Sequence, residues 1–123
     1  GAEISAKISR LELIVSRIFA QVEKDPTLAP ELHQFMNYYL PTTQKLLDVY
    51  RELDTQPVQG QNISDTKKEI EATLDTINQA FENLLDSCYK DTAWDVSTDI
   101  SVLNTMLANE GLTGDELSRN ARA

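Results

Sequence analysis

The residues with the most chemical capacity are three aspartates, Asp91, Asp95 and Asp99, spaced four apart. On a helix that spacing sets all three on one face. Carboxylates so grouped can hold Mg²⁺ or Ca²⁺. Metal sites in helical proteins usually draw their ligands from facing helices, often with a Glu-x-x-His pair, and the sequence contains no such pair. A solvated acidic face, or capping at a helix irregularity, is therefore the expected role, and no metal ligand is assigned. His33 is the only histidine and Cys88 the only cysteine. With no His/Cys cluster, neither a tetrahedral zinc site nor a Ser-His triad is easily built. Cys88 falls at a core heptad position, where a thiol packs as a small hydrophobe. Lys90 lies on a different face and cannot stabilise its thiolate. No catalytic residue follows. Gly-rich phosphate loops, nucleophile elbows and dinucleotide fingerprints are absent too, so no cofactor is expected.

Three aromatic residues are candidates for binding rather than chemistry. Trp94, the only tryptophan, sits beside Asp95, either closing a short core gap or exposed as a contact residue; packing is the expected role. Tyr38 and Tyr39 stand just before Pro41, where a bent helix opens a gap that a ligand or partner side chain could enter, although aromatic filling of such a gap is the commoner outcome. With Asp91, Asp95 and Asp99 they complete the set of candidate binding residues.

The elements that must position these residues are helices. Hydrophobic residues make up 41% and charged residues 25%, ordinary for a globular chain, and four Gly and four Pro leave room for long uninterrupted segments. Residues 3–24 carry apolar side chains at Ile4, Ile8, Leu11, Val15, Ile18 and Val22, in helical steps; Asp25-Pro26 stops that helix. A second helix opens near Pro30, a residue suited to a first turn, with a stripe of Leu32, Phe35, Tyr39, Leu46, Tyr50 and Leu53. Pro41 lies in its middle and predicts a kink. Pro57 and Gly60 mark a loop. A third helix is predicted from Ser64 or Asp65, with Ile70, Leu74, Ile77, Phe81, Leu84 and Cys88 as a heptad seam. Apolar residues then resume out of phase at Val96, Ile100, Leu103 and Leu107, a stutter. No Gly or Pro falls between Lys90 and Asp95, which favours one helix running on to a cap at Gly111 over a break into two.

The predicted fold is all-α: an antiparallel bundle of three long helices, the last with the option of a break, the second kinked at Pro41. Residues 1–112 form one domain and 113–123 a frayed tail. Val96, Ile100, Leu103 and Leu107 then need a cover, from the first helix or from a second chain.

The net charge of −9 repels rather than neutralises phosphates, which excludes nucleic acid as a partner and disfavours anionic lipid. A lone cysteine fits a reducing, cytoplasmic setting. No apolar run approaches the ~20 residues of a membrane span. The chain begins with Gly1, so a natural protein that extends further upstream is the expectation. The charge is expected to serve a solvated, soluble surface, a basic partner being the sharper alternative; the uncovered helix end points to a protein partner or self-association.

The segments NYYLPTTQKLLDVYREL (37–53), QPVQGQNI (56–63), EATLDTINQAFENLLD (71–86) and DTAWDVSTDISVLNTMLANEGL (91–112) resemble, in order and without large gaps, the C-terminal helical part of the XpaC family, bacterial proteins named for 5-bromo-4-chloroindolyl phosphate hydrolysis. The resemblance implies a soluble helical portion behind a hydrophobic N-terminal part, and a link to toxic-anion resistance. The name implies phosphate-ester hydrolysis, yet no family catalytic residue carries over to a position here. A non-enzymatic helical interaction domain is the leading expectation; a metal-dependent hydrolase using Asp91, Asp95 or Asp99 and an oligomerisation module are the alternatives.

Overall fold

The computed structural model describes residues 1–113; the predicted frayed tail lies, from residue 114 on, outside the described residues. All regular structure among them is helical. The chain divides into two compact units, Gly1–Cys88 and Tyr89–Ala123.

In the first unit, α1 (Ala2–Lys24) buries Ile4, Leu11, Ile14 and Ile18, with Ile8, Val15 and Val22 packed at the edge of the same core. Asp25 leaves helical geometry, and its carboxylate accepts the Thr27 N–H at 3.1 Å, which nucleates the next turn. That turn is a 3-10 helix (Pro26–Leu32). It begins four residues before the predicted start and holds Pro30 in its interior rather than in its first turn. The tighter winding suits Pro26 and Pro30, since a residue without an N–H gives up one bond wherever it stands in a helix.

The second helix continues through a π-helical turn (Phe35–Tyr39) into α2 (Leu40–Asp54). The Leu40 N–H donates to the carbonyl of Phe35, five residues back. Pro41 has no N–H and its ring crowds the preceding turn. Widening that turn by one residue relieves the crowding. The extra residue also rotates the face. Phe35 is buried, and burial resumes at Thr43, Leu47 and Tyr50, whereas Tyr39, predicted in the stripe, turns outward and is 47% exposed. Buried Thr43 satisfies its hydroxyl by donating to the Tyr39 carbonyl at 2.7 Å.

α3 (Gln61–Ser87) starts at Gly60 as N-cap, earlier than the predicted Ser64 or Asp65. The Gln61 amide grips Asp65 at 2.8 Å across this first turn, so Ser64 and Asp65 lie inside the helix. Ile70, Leu74 and Phe81 are buried, with Ile77, Leu84, Leu85 and Cys88 packed against them. Along α3, the partners on α1 climb in step: Lys7 meets Asp75 at 3.1 Å and Arg10 meets Glu82 at 2.7 Å. The partners from the second helical segment descend. Asp54 pairs with Lys67 at 2.8 Å, Tyr50 with Glu71 at 2.6 Å, and Phe35 with Phe81 at 5.0 Å between ring centroids.

α3 ends at Ser87, and α4 (Lys90–Asn109) follows a two-residue turn at Cys88–Tyr89. The single continuous helix favoured by the sequence is thus broken, four residues ahead of the Asp91–Asp95 stutter centre and not within it. The cause is local. The Ser87 hydroxyl and the Cys88 thiol both donate to the Leu84 carbonyl, at 2.6 and 3.4 Å. That oxygen is the one the Cys88 N–H would use in an α-helix, and the N–H bonds Leu85 instead at 3.1 Å. Side-chain competition of this kind weakens and bends a helix, and here two side chains share the one acceptor. α4 closes as predicted at Gly111, with φ of 72°. Gly111 N–H donates to Ala108 and Leu112 N–H to Leu107, the paired bonds of a Schellman cap.

Burial, reinforced by the hydrogen bond to Glu71, pushes the Tyr50 hydroxyl up to about 12. A folded-state pKa above the ordinary ~10 means that the native chain holds this proton more tightly. Its contribution is fully present below pH 10 and disappears as pH rises towards 12. Tyr50→Phe is expected to cost about 1–2 kcal/mol in urea unfolding at pH 8 and to remove that part of the alkaline loss; an unchanged alkaline profile contradicts the Tyr50–Glu71 bond.

Candidate functional site

The candidate residues fall into two groups, one in each unit. In the first unit the π turn carries Tyr38 and Tyr39, whose rings meet edge to face at 5.7 Å. Tyr39 donates its hydroxyl to Gln34 at 3.3 Å. Tyr38 is 64% exposed. They do not fill the space beside the irregular turn; they border a groove of about 410 Å³ whose floor is Leu46, Ile77, Phe81 and Leu84 and whose rim carries Thr42, Thr73 and Thr76. The π turn made this groove by rotating Tyr39 off the core. Its floor on α3 belongs to the predicted seam, whereas Thr73, Thr76 and Ala80 at its edge look like any polar or small helix positions.

The second group lies on α4, a helix with no buried residue. Trp94, expected to pack, is 70% exposed, since the helix it belongs to starts afresh after the Cys88–Tyr89 turn and no longer continues the α3 seam. Val96, Ile100 and Leu103, the predicted stripe, are each about half exposed (48%, 51% and 54%), while Leu107 is partly covered. Val102 and Met106 are exposed as well; the seam count passed over them, though they continue the row of Asp95 and Asp99 at steps of three and four. Asp91, Asp95 and Asp99 are all exposed. Asp91 stands in the first turn, where a carboxylate favours the positive end of the helix dipole. Among the described residues, no three or more His, Cys, Asp or Glu side chains are grouped so as to hold a metal ion.

The remaining reactive groups are placed as structural residues. His33 is exposed, with the Asn37 amide nitrogen 3.0 Å from its Nδ1. Cys88 is partly buried against the core, and burial, with Glu31 adding repulsion, pushes its thiol above the ordinary value. That is the reverse of what a nucleophile needs. The Lys67 ammonium beside Asp54 holds that carboxyl below the usual range, which makes the pair a tie between α2 and α3. No helix among the described residues is long and apolar enough to cross a membrane.

A family model described as 5-bromo-4-chloroindolyl phosphate hydrolysis protein matches residues 2–103, and so takes in α1, the first three segments of the resemblance and the fourth as far as Leu103. No curated protein and no solved structure matches the chain.

The placement of Cys88 sets an expected reactivity. Its modification by an aromatic disulfide reagent should keep accelerating with pH beyond the range in which a free thiol levels off. A plateau at or below the ordinary thiol range would show an activated cysteine.

Proposed function

We propose that this chain, which belongs to the 5-bromo-4-chloroindolyl phosphate hydrolysis protein family, works as a helical interaction module rather than as a catalyst, with α4 as the recognition element. The observation that carries the reading is that α4 buries none of its residues while exposing Val96, Ile100, Leu103 and Met106. Most helical stability in proteins comes from tertiary packing rather than from propensity, so contact with a partner would stabilise the helix as well as cover it. Covering the exposed halves of those four side chains contributes roughly 1 kcal/mol each. A similar amount comes from the partner, against an association cost of about 4 kcal/mol or more. The balance, about 4 kcal/mol at most, describes a weak, reversible contact near the millimolar range.

The first unit then serves as the scaffold. A three-helix antiparallel arrangement with a bend at Pro41 is supported by the opposed order of contacts along α3 and by the π turn at Phe35–Tyr39. A cytoplasmic setting, an upstream membrane tether and an accessory part in toxic-anion or envelope stress rest on the family resemblance alone.

The hydrolase reading has the family name in its favour. Cleaving a phosphate monoester is among the slowest uncatalysed reactions and demands a strong nucleophile or metals with cationic clamps. Asp91, Asp95 and Asp99 are exposed, and among the described residues no further ligands are grouped with them. An aryl phosphate assay on the full chain with Mg²⁺ or Mn²⁺ is expected to give no turnover above buffer, and calorimetry no saturable heat at micromolar metal. Metal-dependent turnover that Asp95→Asn abolishes would defeat the interaction reading.

A further inference from the structure

We infer that the occupant of the α4 face is a cationic amphipathic helix of another protein; this rests on α4 being the recognition element. Two features of the same helix point there. The first is the apolar stripe of Val96, Ile100 and Leu103, uncovered along its length. Helical grooves take amphipathic helices through anchors at this spacing.

The second is the charge beside the stripe. Asp99 lies three residues from Val96 and four from Leu103, so its carboxylate is a helix-surface neighbour of both. Asp95 sits one turn before it on the same flank. Within Lys90–Asn109 the single cation is Lys90, at the far end. The opposite flank, with Lys90, Ser97, Ser101 and Asn104, carries no acid. The face is therefore an apolar strip with one negative edge, complementary to a helix that carries Lys or Arg beside its own apolar strip.

A second copy fits less well. Antiparallel pairing of α4 with itself sets the acidic flank of one copy against that of the other, and parallel pairing sets it against a flank whose one cation is Lys90. Each copy also carries −9 overall. Nucleic acid and anionic vesicles are disfavoured by the same sign of charge.

The test uses the full chain and two synthetic helical peptides of three heptads, with Leu at the seam positions. The flanking positions are Lys in one peptide and Glu in the other, and binding is followed by anisotropy of a labelled peptide. The Lys peptide is expected to bind saturably, at least tenfold tighter than the Glu peptide. It should weaken as salt rises from 0.1 to 1 M and the screening length shrinks from about 10 to about 3 Å. Asp95→Asn and Asp99→Asn should each weaken it about two- to fivefold, and Ile100→Ser with Leu103→Ser should abolish it while circular dichroism shows the other helices intact.

Equal binding of both peptides, lost in the serine variant, would overturn the cationic partner and leave the interaction reading standing. So would a dimer in sedimentation that the serine variant dissociates. Binding of the Lys peptide that ignores the serine substitutions would mark mere attraction to an acidic chain and overturn the inference. A monomer that binds neither peptide would sink the inference and the reading beneath it together.

Discussion

Phe81 meets Phe35 edge to face with 5.0 Å between ring centroids, and the packing around that contact constrains everything else. Phe35 is held in place by the turn before Pro41, Phe81 by the α3 seam, and Phe19 of α1 leans on Phe35 at 6.2 Å. Three helical segments converge there. Aromatic pairs of this geometry add to the burial of their own area. The turn before Pro41 must therefore widen so that Phe35 can stay inside while Thr43 and Leu47 remain in phase below it. The cost of that widening is that Tyr38 and Tyr39 face outward beside an apolar groove.

The same seam decides where the core stops. Leu84 and Cys88 are its last contributors, and the Leu84 carbonyl is taken by Ser87 and Cys88 side chains. Past the turn at Cys88–Tyr89 the chain is helical again but buries nothing. A helix without a core is costly in conformational entropy. α4 offsets little of that cost within itself beyond its backbone ladder and the Schellman cap at Gly111. Such an element has most of its stability to gain from whatever covers it.

Much of this was legible in the residues. The periodic seams of α1 and α3 were readable because apolar spacing reports burial directly, and Leu74, Phe81, Leu11 and Ile18 sit where it put them. Gly111 was readable because its left-handed conformation is one that side chains resist. Pro41 signalled an irregularity but not its form: a bend and a π turn both answer a missing N–H, and only the π turn moves Tyr39 off the core. The helix break was hidden because Ser87 and Cys88 are unremarkable in sequence and act through a shared acceptor. Trp94 was misjudged for the same reason, since its burial was inferred from a helix that does not continue. The carboxylates Asp91, Asp95 and Asp99 were correctly read as one face, but the spacing is silent on whether another helix brings a fourth ligand.

The central claim is that α4 stands outside the cooperative core. Native-state amide hydrogen exchange on the free chain tests it most directly. Amides around Leu74 and Phe81 in α3 should exchange only through global unfolding, while those around Ile100 and Leu103 exchange through local opening at far lower free energy. Equal protection of the two helices, lost together at one denaturant midpoint, would contradict it.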